Sequence, residues 1–247
     1  MPRPFILAAA LAALLLAAGC TTIVAPPAPS GSGGPPLPLR VCLLKDRNLS
    51  CERAEAVMAA VTREMARHGI AVSVPWVREW QRPGFFEADI SRAVAAYPLE
   101  APCDRILALV GRNFKDFAWG LLMPEIFGAV ETRSHTKGYA VAEVGSLNQV
   151  LTFHSPAGGA LHELYHMLGC EHGAGDACGA RIAALKARAP GGSEQEEDFL
   201  PGLDPRGRPL TTRAAVNAAF ADLAPPEAPD FDLAVLGAPA AVCAPVN

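Results

Sequence analysis

The chain has 247 residues, a hydrophobic content of 51% and a formal net charge of −4, enough apolar material for one large domain or two small ones. The slightly acidic balance leaves no basic footprint, so nucleic-acid binding has no support.

Residues 1–19 read as a signal peptide. Arg3 supplies a positive start, and Phe5 to Ala18 is an apolar run too short for an ordinary membrane span. The run ends Leu16-Ala17-Ala18-Gly19-Cys20, which resembles the lipobox of bacterial lipoproteins. The resemblance implies cleavage before Cys20, acylation of its sulfur, and a membrane partner reached through that lipid anchor. Thr21 after the cysteine favours the outer membrane of the bacterial envelope. The alternative is a conventional secretory signal cut nearby; either way the mature chain leaves the cytoplasm. Residues 20–38 are rich in proline, glycine and serine, cannot bury enough apolar surface to order, and read as a disordered tether reaching on the order of 40–50 Å if extended.

The remainder, 39–247, is expected to form a single domain. Leu39 to Leu44 reads as a buried strand. Leu49 to His68 reads as a helix, with Ala54, Val57, Met58, Val61 and Met65 at helical spacing and Gly69 as its stop. Ile70 to Trp80 reads as a strand in which Pro75 marks an edge or a bulge. A second helix is expected over Phe85 to Tyr97 and a further buried strand over Arg105 to Gly111. This alternation predicts an α+β fold, a twisted, mainly parallel sheet with helices packed on it. Ile126 to Thr132 and Tyr139 to Val144 follow without an intervening helix, so they are expected to pair antiparallel at the sheet edge.

The most informative stretch is Leu161-His162-Glu163-Leu164-Tyr165-His166-Met167-Leu168-Gly169-Cys170-Glu171-His172. Ser155-Pro156 signs a helix start and Gly169 its stop. Residues four apart stand on one face, so His162 and His166 can share one ion. At about 100° per residue, Ala157, Leu161, Leu164 and Leu168 form an apolar back. The histidines lie to the front with Glu163 beyond them, and Gly158 and Gly159 leave room there. Tyr165 falls nearer the back, as a core residue. His172 reaches the same ion only if the chain reverses at Gly169. Three histidines leave a fourth tetrahedral position open, the arrangement of a catalytic Zn2+.

His162-Glu163-x-x-His166-x-x-Gly169-x-x-His172 resembles the extended zinc signature of the metzincin clan of metallopeptidases. The resemblance implies a metzincin-like zincin domain with the zinc-binding helix at its active site, His162, His166 and His172 as ligands, and Glu163 as general base. It also implies an endopeptidase that takes an extended peptide beside a rim strand, here Ile126 to Glu131. The clan's methionine-containing turn has no counterpart, since Met1, Met58, Met65, Met123 and Met167 all precede His172; Phe199 or Leu200 is the candidate floor of the site. Two alternatives stay open. One is a catalytically degraded zinc-binding envelope lipoprotein with a binding or scaffold role. The other is a zincin peptidase whose third ligand is a glutamate from the acidic run Glu194-Gln195-Glu196-Glu197-Asp198, a run that otherwise reads as a solvated face. His135 and His154 are expected in loops, outside the ligand set.

Beyond His172 the chain is glycine-rich, then acidic, and a last helix is expected over Thr211 to Leu223, capped by threonine. Setting Cys20 aside, six cysteines remain: Cys42, Cys51, Cys103, Cys170, Cys178 and Cys243. An even count in an exported chain implies disulfides. Proximity in sequence suggests Cys42–Cys51 and Cys170–Cys178, leaving Cys103–Cys243; the competing reading makes Cys170 or Cys178 a metal ligand.

Overall fold

The structure is a computed structural model that describes residues 36–84, 86–112, 127–143, 155–172, 175–187, 196 and 198–224. The signal segment, Cys20, the tether up to residue 35, His154 and Cys243 lie outside the described residues.

Strand β1, Leu37–Asp46, is the spine. It starts two residues inside the stretch read as tether, because Leu37 and Pro38 already pair with Ile70 and Ala71. Helix α1, Cys51–Arg67, begins where the Ser50 side chain accepts from the Arg53 amide, and it buries Ala54, Val57, Met58, Val61 and Met65. Gly69 turns the chain with φ of 64°. The strand expected over Ile70 to Trp80 is two: β2, Ile70–Ser73, and β3, Val77–Trp80. Both run parallel to β1, at its start and its end, and Pro75 sits in the break, where a residue without an N–H disturbs no ladder. Helix α2 follows at Glu87–Ala96, then β4 at Arg105–Val110, β5 at Gly128–Val130 and β6 at Lys137–Val141.

The sheet order is β2-β1-β4-β6-β5, with β3 also beside β1. The ladders β1–β4 and β4–β6 are parallel, and β5 is antiparallel to β6, so the sheet is mainly parallel with an antiparallel edge, as the sequence predicts. Helix α3, Pro156–Met167, carries the histidine pair, and α4, Gly175–Ala187, follows it. The chain then forms a two-stranded ribbon, β7 at Gly202–Leu203 with β8 at Pro209–Leu210, and a short helix α5, Arg213–Ala218, capped by Thr212. Helix α4 was not predicted; its glycines hid the spacing of Cys178, Ile182 and Leu185, all buried.

Period-2 alternation assigns the two faces. Leu39, Val41 and Leu43 of β1, with Leu107 and Leu109 of β4, join the core cluster under α1, α3 and α4. Cys42, Leu44, Ile106 and Ala108 point the other way, into the cluster of α2 and α5. This parity overturns two expected cysteine pairings. Cys42 turns away from the face that α1 covers, and it is joined to Cys103, with Cα atoms 5.6 Å apart; Cys103 is therefore not the partner of Cys243. Cys51 is itself disulfide-bonded, and not to Cys42. Among the described residues no helix is long and apolar enough to cross a membrane.

Peptide mapping without reduction should recover a fragment joining Cys42 to Cys103, and a Cys42–Cys51 fragment would contradict this topology. The loop between the two cysteines spans 61 residues. Replacing both by alanine should therefore lower unfolding stability by about 4 kcal/mol in the chain-entropy account, read from urea denaturation.

Candidate metal centre

The site begins with how α3 starts and stops. The Ser155 hydroxyl accepts from the Gly158 amide at 2.9 Å, with Pro156 at the first helical position. At the other end Gly169, with φ of 83°, allows a left-handed residue that a side chain would strain. The Gly169 amide donates to the His166 carbonyl and the Cys170 amide donates to the Tyr165 carbonyl, at 2.8 and 3.0 Å. That pair of bonds is a Schellman closure, and it reverses the chain within three residues of His172.

The reversal brings three imidazoles together. Ring centroids are separated by 4.8 Å for His162 and His166, 5.0 Å for His162 and His172, and 4.5 Å for His166 and His172. One nitrogen from each lies within 4.8 Å of the others. The His166 Nδ1 donates to the Cys170 carbonyl at 2.7 Å. A carbonyl only accepts, so the hydrogen is on Nδ1 and the lone pair is on Nε2. That Nε2 faces the Nε2 of His162 at 3.2 Å. Burial holds His166 below the ordinary histidine range, opposed by its bond to the Cys170 carbonyl and assisted by the neighbouring His172 and His135. Neutral imidazoles with convergent lone pairs are what a metal ion requires, and this donor set could hold one.

The third histidine is pinned from behind. Cys170 is bonded to Cys178 of α4, as expected, which removes both thiols from the list of ligands. Glu171 pairs with Arg181 of α4 at 2.9 Å. Ile182 and Leu185 anchor that helix in the core beside Leu168.

Glu163 departs from its expected place on a polar front: it is only 5% exposed. Its carboxylate packs on strand β5 where Gly128 has no side chain; a Cβ there would lie 2.6 Å from Oε1. Burial, reinforced by the charge of Glu87, pushes its carboxyl up to about 8. The helix is rotated relative to the expected wheel. Gly159 is buried rather than facing the front, and Ala157 and Leu161 are only half-buried, while Ala160, Leu164, Tyr165, Met167 and Leu168 form the core face. Tyr165 is a core residue as read from the sequence, and its hydroxyl bonds His68 Nε2 at 3.1 Å. Gly128 was not singled out from the sequence, although a glycine inside a predicted strand marks a close approach.

The other candidates go elsewhere. His135 sits in the β5–β6 loop at φ of 55° and donates from Nδ1 to the Leu203 carbonyl at 2.9 Å. Of the acidic run, Asp198 is exposed and Glu196 partly so, and both pair with Arg213, Asp198 also with Arg40. Glu194 and Glu197 lie outside the described residues. Leu200 joins the cluster that backs α3, whereas Phe199 packs on the opposite face of the sheet, near the Arg213 guanidinium. No family model, curated protein or solved structure matches the chain.

Gly128→Ala should cost roughly 1–3 kcal/mol of stability, because the added methyl group must displace the Glu163 carboxylate or the strand; urea denaturation measures it. The raised carboxyl of Glu163 gives a pH signature in metal-free protein. A group whose folded pKa of about 8 exceeds an unfolded value of about 4.3 contributes stability that is full below the lower value and lost as pH rises through the upper one. Metal-free Glu163→Gln should therefore unfold at a higher temperature than wild type near pH 8, with the difference vanishing towards pH 4. An equal difference at both pH values would contradict the assignment.

Proposed function

We propose that the chain is a zinc-dependent endopeptidase of metzincin type, carried outside the cytoplasm on a lipidated Cys20 and acting on extended peptide or protein substrates. The observation that carries this reading is the convergence of three imidazoles from a helix and the bend beyond it. Two nitrogens held about 2.0–2.1 Å from one tetrahedral ion lie about 3.3 Å apart. The Nε2 atoms of His162 and His166 are 3.2 Å apart, which supports zinc as the ion held by His162, His166 and His172.

Held by His162, His166 and His172, a zinc ion would supply Lewis acidity and would lower the pKa of bound water. The chain's own residues do the rest. Glu163 follows His162 directly, and beside a bound zinc its carboxylate would be the general base that takes a proton from water and returns it to the leaving amine. A structural zinc site would have no use for that carboxylate. His166 keeps its lone pair aimed inward because Cys170 holds its other nitrogen.

Strand β5 supplies a place for substrate. The Phe127 carbonyl accepts from Val141 and the Glu131 amide donates to Lys137, so those residues face β6. By the alternation of an antiparallel ladder, the backbone groups of Gly128 and Val130 between them face outward. An extended peptide can add to such an edge, beside the strand against which Glu163 is packed.

A second reading, a zinc-binding envelope lipoprotein without activity, is favoured by the lack of a methionine after His172. One experiment separates them. Purified protein should carry one zinc ion and cleave members of a mixed peptide library. Glu163→Gln should keep the zinc and lose at least about 100-fold in rate. Zinc without cleavage by wild type would favour the second reading, and equal cleavage by variant and wild type would end the first.

A further inference from the structure

Arg105 opens strand β4 and is 1% exposed. Its Nε donates to the Met167 carbonyl at 3.1 Å, and its Nη2 donates to the Pro201 carbonyl at 2.8 Å. Its Nη1 donates to the carbonyls of Leu200 and Asp104, each at 2.8 Å. Burial lowers its pKa to about 10, so it stays a cation at neutral pH. A buried cation costs far more than an apolar residue of similar size unless its donors are all used. Here they are spent on the backbone carbonyl of its own neighbour Asp104 and on those of two other segments that meet near the Gly169 bend.

The first segment is the end of α3. Met167 is the last residue of that helix, and its carbonyl is one of the final four without an intrahelical partner. The second is the stretch Leu200 to Leu203, which passes beneath the bend. The Leu200 amide donates to Asp104 Oδ1 at 2.9 Å. The Leu203 amide donates to the Ser134 carbonyl at 2.7 Å. Leu203 Cδ1 lies 2.5 Å from where a Cβ on Gly169 would stand, so this stretch touches the residue whose left-handed turn sends the chain to His172.

We propose that Arg105 is a positioning residue of the metal centre. It fixes the end of the metal-binding helix against the Leu200–Leu203 strap, and so sets where the Gly169 bend places His172 relative to His162 and His166. The planar fork reaches carbonyls in different directions at once, which a lysine ammonium, a point charge, cannot reproduce in the same place. This inference rests on the reading of the three histidines as a metal site.

The test uses Zn2+ affinity from competition with a chelator and the visible spectrum of the Co2+-loaded protein, on wild type, Arg105→Lys, Arg105→Met and Lys137→Met. Lys137 is a second buried cation, bonded to the Ala95 carbonyl on the other face of the sheet, and serves as the control for general destabilisation. Arg105→Lys should fold, bind one ion at least about ten-fold more weakly, and show a changed Co2+ spectrum. Lys137→Met should keep both affinity and spectrum. Wild-type affinity and spectrum in Arg105→Lys and Arg105→Met would overturn the proposal. So would an affinity loss matched by Lys137→Met, or failure of both Arg105 variants to fold while Lys137→Met folds, since Arg105 would then support the domain as a whole. Absence of metal binding by wild type would instead overturn the reading of the site itself, and the proposal with it.

Discussion

Everything at the site depends on the chain reversing at Gly169. A helix can offer two histidines to one ion through i and i+4 spacing, but a third ligand six residues on would stand about 9 Å further along the axis if the helix continued. The reversal needs a residue at positive φ, and Gly169 takes φ of 83°. A bend so short has little stiffness of its own, and three features hold it. The Schellman bonds close it from within, the Cys170–Cys178 link ties its exit to α4, and the strap under Leu203 supports it from below. Cys170 belongs to two of these at once and also fixes the His166 tautomer through its carbonyl.

The sheet contributes by approaching α3 closely. Gly128 and Gly138 both face that helix, and a Cβ on either would collide, with Glu163 in the first case and with Val130 and Met167 in the second. These two small residues on neighbouring strands let the helix that carries His162 and His166 lie against the edge of the sheet. The same closeness is what desolvates Glu163. The raised proton affinity of that carboxyl is thus a consequence of packing, since its largest cause is burial rather than any one neighbouring charge.

Local signals made most of the elements legible in the sequence. Helix α1 buries the five residues its spacing singled out, the strand alternation gave a mainly parallel sheet with an antiparallel edge, and the three histidines meet as their offsets required. Long-range information was weaker. The Cys42 pairing depended on strand parity, which was available in the alternation of Cys42 and Leu44 against Leu39, Val41 and Leu43 but was overridden by nearness to Cys51. The rotation of α3 could not be read from its own wheel, because a glutamate counts as polar until its neighbour across the sheet is known to be a glycine. The ion pairs of the acidic run were hidden for a similar reason: Arg40, which pairs with Asp198, is far away in sequence, and Arg213 lies across the β7–β8 ribbon. Arg105 looked like the polar start of a buried strand, and only the fold reveals that its acceptors are the carbonyls around the bend.

The account stands or falls on one ion held by three imidazoles. X-ray absorption at the zinc edge, on protein purified without added metal and on the same protein lacking His172 through a His172→Ala substitution, tests it most directly. The account predicts three histidine nitrogens at about 2.0–2.1 Å plus one oxygen donor in wild type, and one nitrogen fewer with weaker retention in the variant. A zinc-free protein, or a coordination shell unchanged by the loss of His172, would contradict it.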